Sequence, residues 1–207
     1  MSPYILTFTG KQFHFLSNDA SEICIDDLAK ALSNVNRYTG HTVRPYSVAE
    51  HAIHVASLLP PDYQMMGLLH DGSEAYLNDI SSPLKSLLPD YRRIEESVQN
   101  KVWAFAGISL EAVDEHYAHV KLADMLMYLA ELRNINPDEY ELAKDIPGTE
   151  AMIARIESEP ALQNFPYYIP HTIACGLFKK VVRNIGNGNF LTRTFTDETD
   201  MTKYLMR

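Results

Sequence analysis

The feature that most constrains the fold is a series of apolar stripes at helical spacing, separated by breaks that contain proline. The longest covers residues 111–134 and carries Val120, Ala123, Met127 and Ala130 along one face. Residues three and four apart lie on the same side of a helix, so each stripe predicts an amphipathic helix packed on a core. We therefore expect an all-α, or mainly α, fold.

Shorter patterns complete the expected organisation. Residues 4–16 alternate around a Gly-Lys turn and predict a small N-terminal β-hairpin. Ser47 and Glu50 have capping-box spacing and predict a helix start. We expect a helical core over residues 25–135, C-terminal helices and a tail over 149–207, and one domain in all 207 residues. Besides the long stripe, apolar residues at helical spacing predict helices over residues 25–35, 48–59, 62–76, 91–106, 149–158 and 170–182.

Composition narrows the classes of function. The net charge of −9 argues against binding a nucleic acid polymer, which depends on Lys and Arg neutralising phosphates. No apolar run approaches the roughly 20 residues of a membrane span, and the first ten residues lack signal-peptide features. The 2 cysteines do not suggest a disulfide framework. We expect a cytoplasmic protein with neither a nucleic acid nor a membrane partner.

Three apolar helical stretches are each interrupted by histidine or aspartate. His51 lies in AEHAIHVA, the pair His70-Asp71 follows MGLL, and Asp124 lies in VKLADMLMYLA. A buried carboxylate without a partner is costly, so Asp124 requires a cation or strong hydrogen bonds. Each residue alone is compatible with a structural role, but together they predict one divalent cation bound by His51, His70, Asp71 and Asp124. Mixed imidazole and carboxylate ligands favour Co, Zn or Mn over Mg.

The order His51, His70-Asp71, Asp124 resembles the H…HD…D signature of the HD-domain phosphohydrolases, which implies an HD-type helical bundle. Within that family, RYTGHTVRPYSVAEHAIHVA and LLHDGSEAYLNDISSPLK resemble the YfdR-like and YfbR-like nucleotide phosphohydrolases. This group includes the DatZ-like dATP triphosphohydrolases of phages. The resemblance covers residues 20–130 well and fades after about residue 160.

The resemblance implies roles for further residues. Glu74, three residues after Asp71, corresponds to a glutamate that orients or deprotonates the attacking water, and Asp79 to a group that assists proton transfer. Arg37 and Lys85 correspond to phosphate-binding positions, and Tyr38 to an aromatic residue that shapes the base pocket. A solvent-facing Glu74, a turn-forming Asp79, surface cations at Arg37 and Lys85, and plain loop packing of Tyr38 remain the alternatives.

The implied substrate is a small nucleotide, with dATP favoured, cut at the α-phosphate to deoxyadenosine and triphosphate. A 5′-deoxynucleotidase acting on monophosphates and a nucleotide-binding sensor without turnover are the alternatives. A hydrolase of cyclic dinucleotides or guanosine tetraphosphate ranks last. We also expect a homo-oligomer, either dimer or hexamer, located in the host cytoplasm if the gene belongs to a phage. The sequence names no residue that would distinguish one base from another.

Overall fold

The protein is mainly α-helical, and its only sheet within residues 3–163 and 168–191 is one hairpin. These residues are the ones described in the structure, a computed structural model. The mainly α fold with a small N-terminal hairpin is thus confirmed. The strands are β1 (Tyr4–Leu6) and β2 (Gln12–His14), and the helices are α1 (Ile25–Asn34), α2 (Val48–Ser57), α3 (Gln64–Leu69), α4 (Glu74–Leu77), α5 (Ser82–Lys85), α6 (Pro89–Phe105), α7 (Leu110–Ile135), α8 (Pro137–Ala143), α9 (Glu150–Ser158), α10 (Pro160–Gln163) and α11 (His171–Gly186).

The hairpin lies within the expected residues 4–16. The two strands are antiparallel, with Tyr4 opposite His14. Gly10 adopts a φ of 81° in the connecting turn, a conformation that glycine reaches without a steric penalty. Phe13 is fully buried, and its ring stacks on Tyr76 of α4 at 3.8 Å. The hairpin is therefore attached to the helical core through this aromatic contact and through hydrogen bonds from Thr9 to Asp27 of α1.

Helix α2 is the centre of the core. All of its residues are buried, and it packs against α1, α3, α7 and α11. The predicted cap is confirmed, because the Ser47 side chain accepts a hydrogen bond from the Glu50 backbone N–H at 3.1 Å. A helix enclosed in this way holds His51 in a fixed position inside the protein.

The helix expected over residues 62–76 is interrupted, and this prediction was wrong. Helix α3 ends at Leu69 and α4 begins at Glu74, with a tight turn between them. Gln99 of α6 stabilises the break, because its side-chain amide donates to the Leu69 carbonyl and its amide oxygen accepts from the Ser73 N–H, both at 2.9 Å. Gly72 also lies so close to α6 that an added Cβ would approach Val102 Cγ1 to 2.7 Å. His70 and Asp71 therefore lie at a helix break.

Helix α7 is the long helix expected over residues 111–134, but its apolar residues are not all buried. Val120 and Met127 are buried as expected, whereas Leu122 is 58% exposed and Met125 is 44% exposed. Asp124 between them has a side chain 39% exposed, so it is only partly buried. Asp124 faces an opening at the protein surface.

The C-terminal region contains the expected helices as α9 and α11, with the short α10 added between them. The last residues of the predicted tail, 192–207, lie outside the described residues. Among the helices of the described ranges, none combines the length and the apolar character that crossing a membrane requires.

Candidate metal centre

Four side chains from α2, the α3–α4 break and α7 converge on one point. His51 Nε2 lies 3.0 Å from Asp124 Oδ1 and 3.3 Å from His70 Nε2. Asp71 Oδ2 lies 3.1 Å from His70 Nε2 and 3.8 Å from His51 Nε2, and His70 Nε2 lies 3.7 Å from Asp124 Oδ1. The sequence prediction that these four residues lie together is consistent with this geometry.

These separations match those of atoms that share a metal ion. Metal–ligand bonds of 2.0–2.2 Å in a tetrahedral site place neighbouring ligand atoms about 3.3–3.6 Å apart. The ligand atoms of His51, His70 and Asp124 form a group that could hold a metal ion, and Asp71 Oδ2 lies at similar distances from both imidazoles. The donor set, two imidazoles and two carboxylates, suits a divalent transition metal.

The outer nitrogen of each histidine ring is held by the protein. His70 Nδ1 donates to the Gly67 carbonyl at 2.7 Å, and His51 Nδ1 donates to Glu131 Oε1 at 2.5 Å. An imidazole that donates from Nδ1 presents the lone pair of Nε2, and histidines that bind metals are usually oriented in this way. Both rings are therefore prepared to bind a cation through Nε2.

Glu131 is a residue of the candidate site that the sequence patterns did not identify. It is fully buried and also accepts hydrogen bonds from Tyr46 at 2.6 Å and Tyr38 at 2.8 Å, while Arg37 Nε lies 3.4 Å away. Burial alone would raise the pKa of Glu131, but His51 and Arg37 lower it to about 2. The signal was present, because this carboxylate interrupts the run Leu129-Ala130-Glu131-Leu132 seven residues after Asp124.

Two cavities meet at the cluster. The first, which we call the Tyr38 cavity, measures about 510 Å³, and its lining includes Arg37, Tyr38, Glu74, Asp79, Tyr128 and Glu139. The second, the Arg92 cavity, measures about 650 Å³, and its lining includes His70, Arg92, Tyr117 and Lys121. Asp71 and Lys85 line both cavities. A ligand larger than a single phosphate can therefore reach His70, Asp71 and Asp124.

Glu74 and Asp79 both line the Tyr38 cavity, as does the cluster residue Asp124. Glu74 is only 5% exposed, and among the described residues its Oε2 atom has no hydrogen-bond partner. Burial and the nearby Asp71 raise the pKa of Glu74 well above the usual glutamate range. Burial likewise raises the pKa of Asp79. Both carboxyl groups therefore hold a proton more readily than an exposed carboxyl group does, and shifts in this direction are common at acid–base sites.

The residues expected to contact substrate are brought to the same place, but each already has protein partners. Arg37 Nη1 lies 3.4 Å from Asp71 Oδ2, and the Tyr38 hydroxyl is occupied by Glu131. Tyr38 has a φ of 57°, an uncommon value for a residue other than glycine. Lys85 Nζ lies 2.5 Å from Glu95 Oε1 and 3.6 Å from Glu74 Oε1.

Comparison with known proteins identifies relatives. No protein-family model matches the chain. The chain is 37% identical to the uncharacterized protein YfdR of Escherichia coli (strain K12) over 150 residues, which are 71% of this chain and 82% of YfdR. It is 32% identical over 89 residues to an uncharacterized protein of Rhodobacter capsulatus, covering 39% of this chain and 45% of that protein. Because the similarity to YfdR extends over most of both proteins, the chain belongs to the YfdR family.

Proposed function

We propose that this protein is a metal-dependent phosphohydrolase of the HD-domain class that cuts a deoxynucleotide at its α-phosphate. The observation that carries the proposal is the convergence of the His51, His70, Asp71 and Asp124 ligand atoms, with each histidine Nε2 lying 3.0–3.8 Å from the ligand atoms of the other three residues. Their chain order is that of the H…HD…D signature. A divalent cation bound there would polarise a phosphoryl oxygen and offset the charge that develops in the transition state.

Glu74 is the proposed general base. It lies in the same cavity as Asp71 and Asp124, and one of its carboxylate oxygens is free of hydrogen bonds among the described residues. That oxygen is available to accept a proton from water as the water attacks phosphorus. The bond between phosphorus and the 5′-oxygen then breaks, and Asp79 supplies a proton to the departing oxygen. The raised pKa of Asp79 is consistent with that role.

Arg37 and Lys85 are the proposed phosphate contacts. Arg37 approaches Asp71, and its planar guanidinium suits a phosphate oxygen. Beyond Lys85, the Arg92 cavity adds Arg92 and Lys121 as contacts for a β- and γ-phosphate, and Glu95, Glu96 and Asp114 line the same cavity. The room and the two cations of this second cavity are the support for a triphosphate substrate. Together with the resemblance to phage enzymes, it makes dATP the proposed substrate, with deoxyadenosine and triphosphate as products.

A 5′-deoxynucleotidase is the second candidate, and one observation favours it. Lys85 is already paired with Glu95 at 2.5 Å, so it contributes less to binding distal phosphates than an unpaired lysine would. A monophosphate needs only the contacts next to the metal ligands. In that case, the products would be a deoxynucleoside and orthophosphate.

The deciding experiment is a hydrolysis screen of dNTPs, NTPs and dNMPs with Co, Mn, Zn or Mg, followed by chromatography of the products. Asp124→Ala, purified in parallel, controls for contaminating phosphatases. Triphosphate released from dATP is the expected result. Orthophosphate from dAMP with dATP left intact would select the 5′-deoxynucleotidase. If no nucleotide is hydrolysed with any of the metals, the protein is not a nucleotide phosphohydrolase, and a nucleotide-binding sensor becomes the better account.

A further inference from the structure

Tyr128 of α7 and Glu139 of α8 line the Tyr38 cavity together with the metal ligands Asp71 and Asp124. Tyr128 follows Asp124 by four residues on α7, so both side chains lie on the same side of the helix. Four residues advance an α-helix by about 6 Å, so Tyr128 begins one turn away from the metal ligand. A nucleotide whose phosphate lies at Asp124 would extend its nucleoside toward this part of the cavity.

This part of the cavity offers surfaces for an aromatic base. The rings of Tyr38 and Tyr128 are nearly parallel, at 21°, with centroids 6.2 Å apart. The apolar residues Ile80, Pro83 and Met125 also line the cavity. Bases stack on aromatic side chains whatever their identity, so these surfaces provide affinity without distinguishing one base from another.

Glu139 of α8 supplies the polar group at this end. Its Oε1 accepts a hydrogen bond from the Tyr128 hydroxyl at 3.0 Å, and its Oε2 accepts one from Asn136 Nδ2 at 2.7 Å. Two donors thus fix the orientation of the carboxylate. Each carboxylate oxygen can accept two hydrogen bonds, so each retains one acceptor position. A carboxylate attracts the amino group of a base and repels a carbonyl oxygen in the same place.

We propose that Tyr128 and Glu139 form a base subsite that selects nucleotides whose base carries an exocyclic amino group. Tyr128 stacks on the base and orients Glu139, and Glu139 accepts the hydrogen bond from the amino group. The inference rests on the proposed function for the position of the phosphate. It adds the residues that choose the base, and it predicts that thymine and uracil nucleotides are poor ligands.

The experiment compares each base with its analogue lacking the amino group, as adenine against purine, guanine against hypoxanthine, and cytosine against uracil. The kcat/KM of each triphosphate is measured in the otherwise unaltered enzyme with Mn²⁺. The Kd of the same nucleotides is measured by calorimetry in the Glu74→Gln background, which separates binding from turnover. Loss of one hydrogen bond to a charged acceptor should weaken binding roughly 10- to 100-fold for at least one pair.

Variants test whether that preference belongs to the subsite. Glu139→Gln should reduce the preference for the amino base over its deamino analogue, expressed as the ratio of their Kd values, several-fold. Tyr128→Leu should weaken the binding of all nucleotides by about 5- to 100-fold because stacking is lost. Glu141→Gln is the matched control, since Glu141 lies on the same helix, is 68% exposed and pairs with Lys144. Its ratio should equal that of the wild type.

Two outcomes would overturn the subsite. One is equal binding of amino and deamino bases by the wild type, and the other is a preference unchanged in Glu139→Gln. If the Kd ratio follows the prediction but no nucleotide is hydrolysed, the subsite stands and the proposed function fails. If no nucleotide either binds or is hydrolysed, both are wrong.

Discussion

Replacing Glu131 with glutamine should disturb the metal centre without touching a metal ligand. The carboxylate accepts from His51, Tyr46 and Tyr38 at 2.5, 2.6 and 2.8 Å. Glutamine offers a single acceptor oxygen and places an NH₂ group where the second oxygen was. If the amide oxygen serves His51 and Tyr46, the NH₂ group faces Tyr38, whose hydroxyl can turn to accept. The Nε–H of buried Arg37 then has a donor opposite it, and Arg37 keeps only the Asp71 carboxylate, 3.4 Å from its Nη1, as a charged partner.

The expected loss of stability follows from the hydrogen bonds and the ion pair that the substitution removes. A hydrogen bond to a charged group contributes about 1.5–3 kcal/mol, and breaking a buried ion pair costs about 3–5 kcal/mol. We expect Glu131→Gln to lower the free energy of unfolding by about 3–5 kcal/mol. Domains usually have about 5–15 kcal/mol in total, so the variant should still fold at 25 °C. Losing the partner of a ligating histidine should weaken metal binding by about 10- to 100-fold.

The assays are urea unfolding and metal titration against a competing chelator. Because the folded-state pKa of Glu131 is lowered from 4.5 to about 2, its contribution is complete above pH 4.5 and is lost as the pH falls toward 2. The stability difference should shrink over the same range. Tyr46→Phe, which removes one hydrogen bond but leaves the charge in place, should cost about 1.5–3 kcal/mol and leave metal affinity nearly unchanged. Wild-type metal affinity in Glu131→Gln would refute the reasoning.

Three further variants test other parts of the account. Glu74→Gln should retain the metal and lower kcat by about 10²–10⁴-fold, and near-normal turnover would remove Glu74 from the mechanism. Gly72→Ala should cost about 1–3 kcal/mol and weaken metal binding, since an added Cβ would approach α6 to 2.7 Å. Its control, Gly176→Ala in α11, has open space and should not destabilise; equal behaviour of the two would contradict the packing argument. Glu22→Gln should lower the free energy of unfolding by about 2–3 kcal/mol, because it leaves the charge of buried Lys101 without its carboxylate partner. Its control, Asp26→Asn, removes an exposed ion pair with Lys179 and should cost less than about 0.5 kcal/mol. The Glu22 pKa is lowered from 4.5 to about 2, so this difference should disappear in acid, and a difference that persists at pH 2 would exclude the ion pair as its source.

Much of the fold could be predicted from local patterns. The stripe on α7, the cap at Ser47 and the hairpin each depend on residues close in sequence, and each appears where it was expected. The break after Leu69 could not be predicted in this way. It depends on Gln99, thirty residues later, which forms hydrogen bonds to backbone groups on both sides of the break.

Part of the candidate site could likewise be predicted from the sequence, and part could not. His51, His70 and Asp124 were found because a titratable residue in an apolar helix requires a partner, and the structure brings them together. Glu131 carries the same signal but lies outside the H…HD…D signature, so the resemblance did not point to it. Glu139 carries no such signal, since it lies on a short polar helix and reaches the cavity only through the packing of α8 against α7.

Metal content is the most direct test of the central claim. Protein purified without added chelator, and reloaded with Mn²⁺ or Zn²⁺, should contain about one ion per chain by elemental mass spectrometry. The Asp71→Ala and His51→Ala variants should each lose that ion while remaining folded by circular dichroism. The exposed variant Glu141→Gln should retain it. A stoichiometric ion that persists in both ligand variants would contradict the assignment of this cluster as the metal centre.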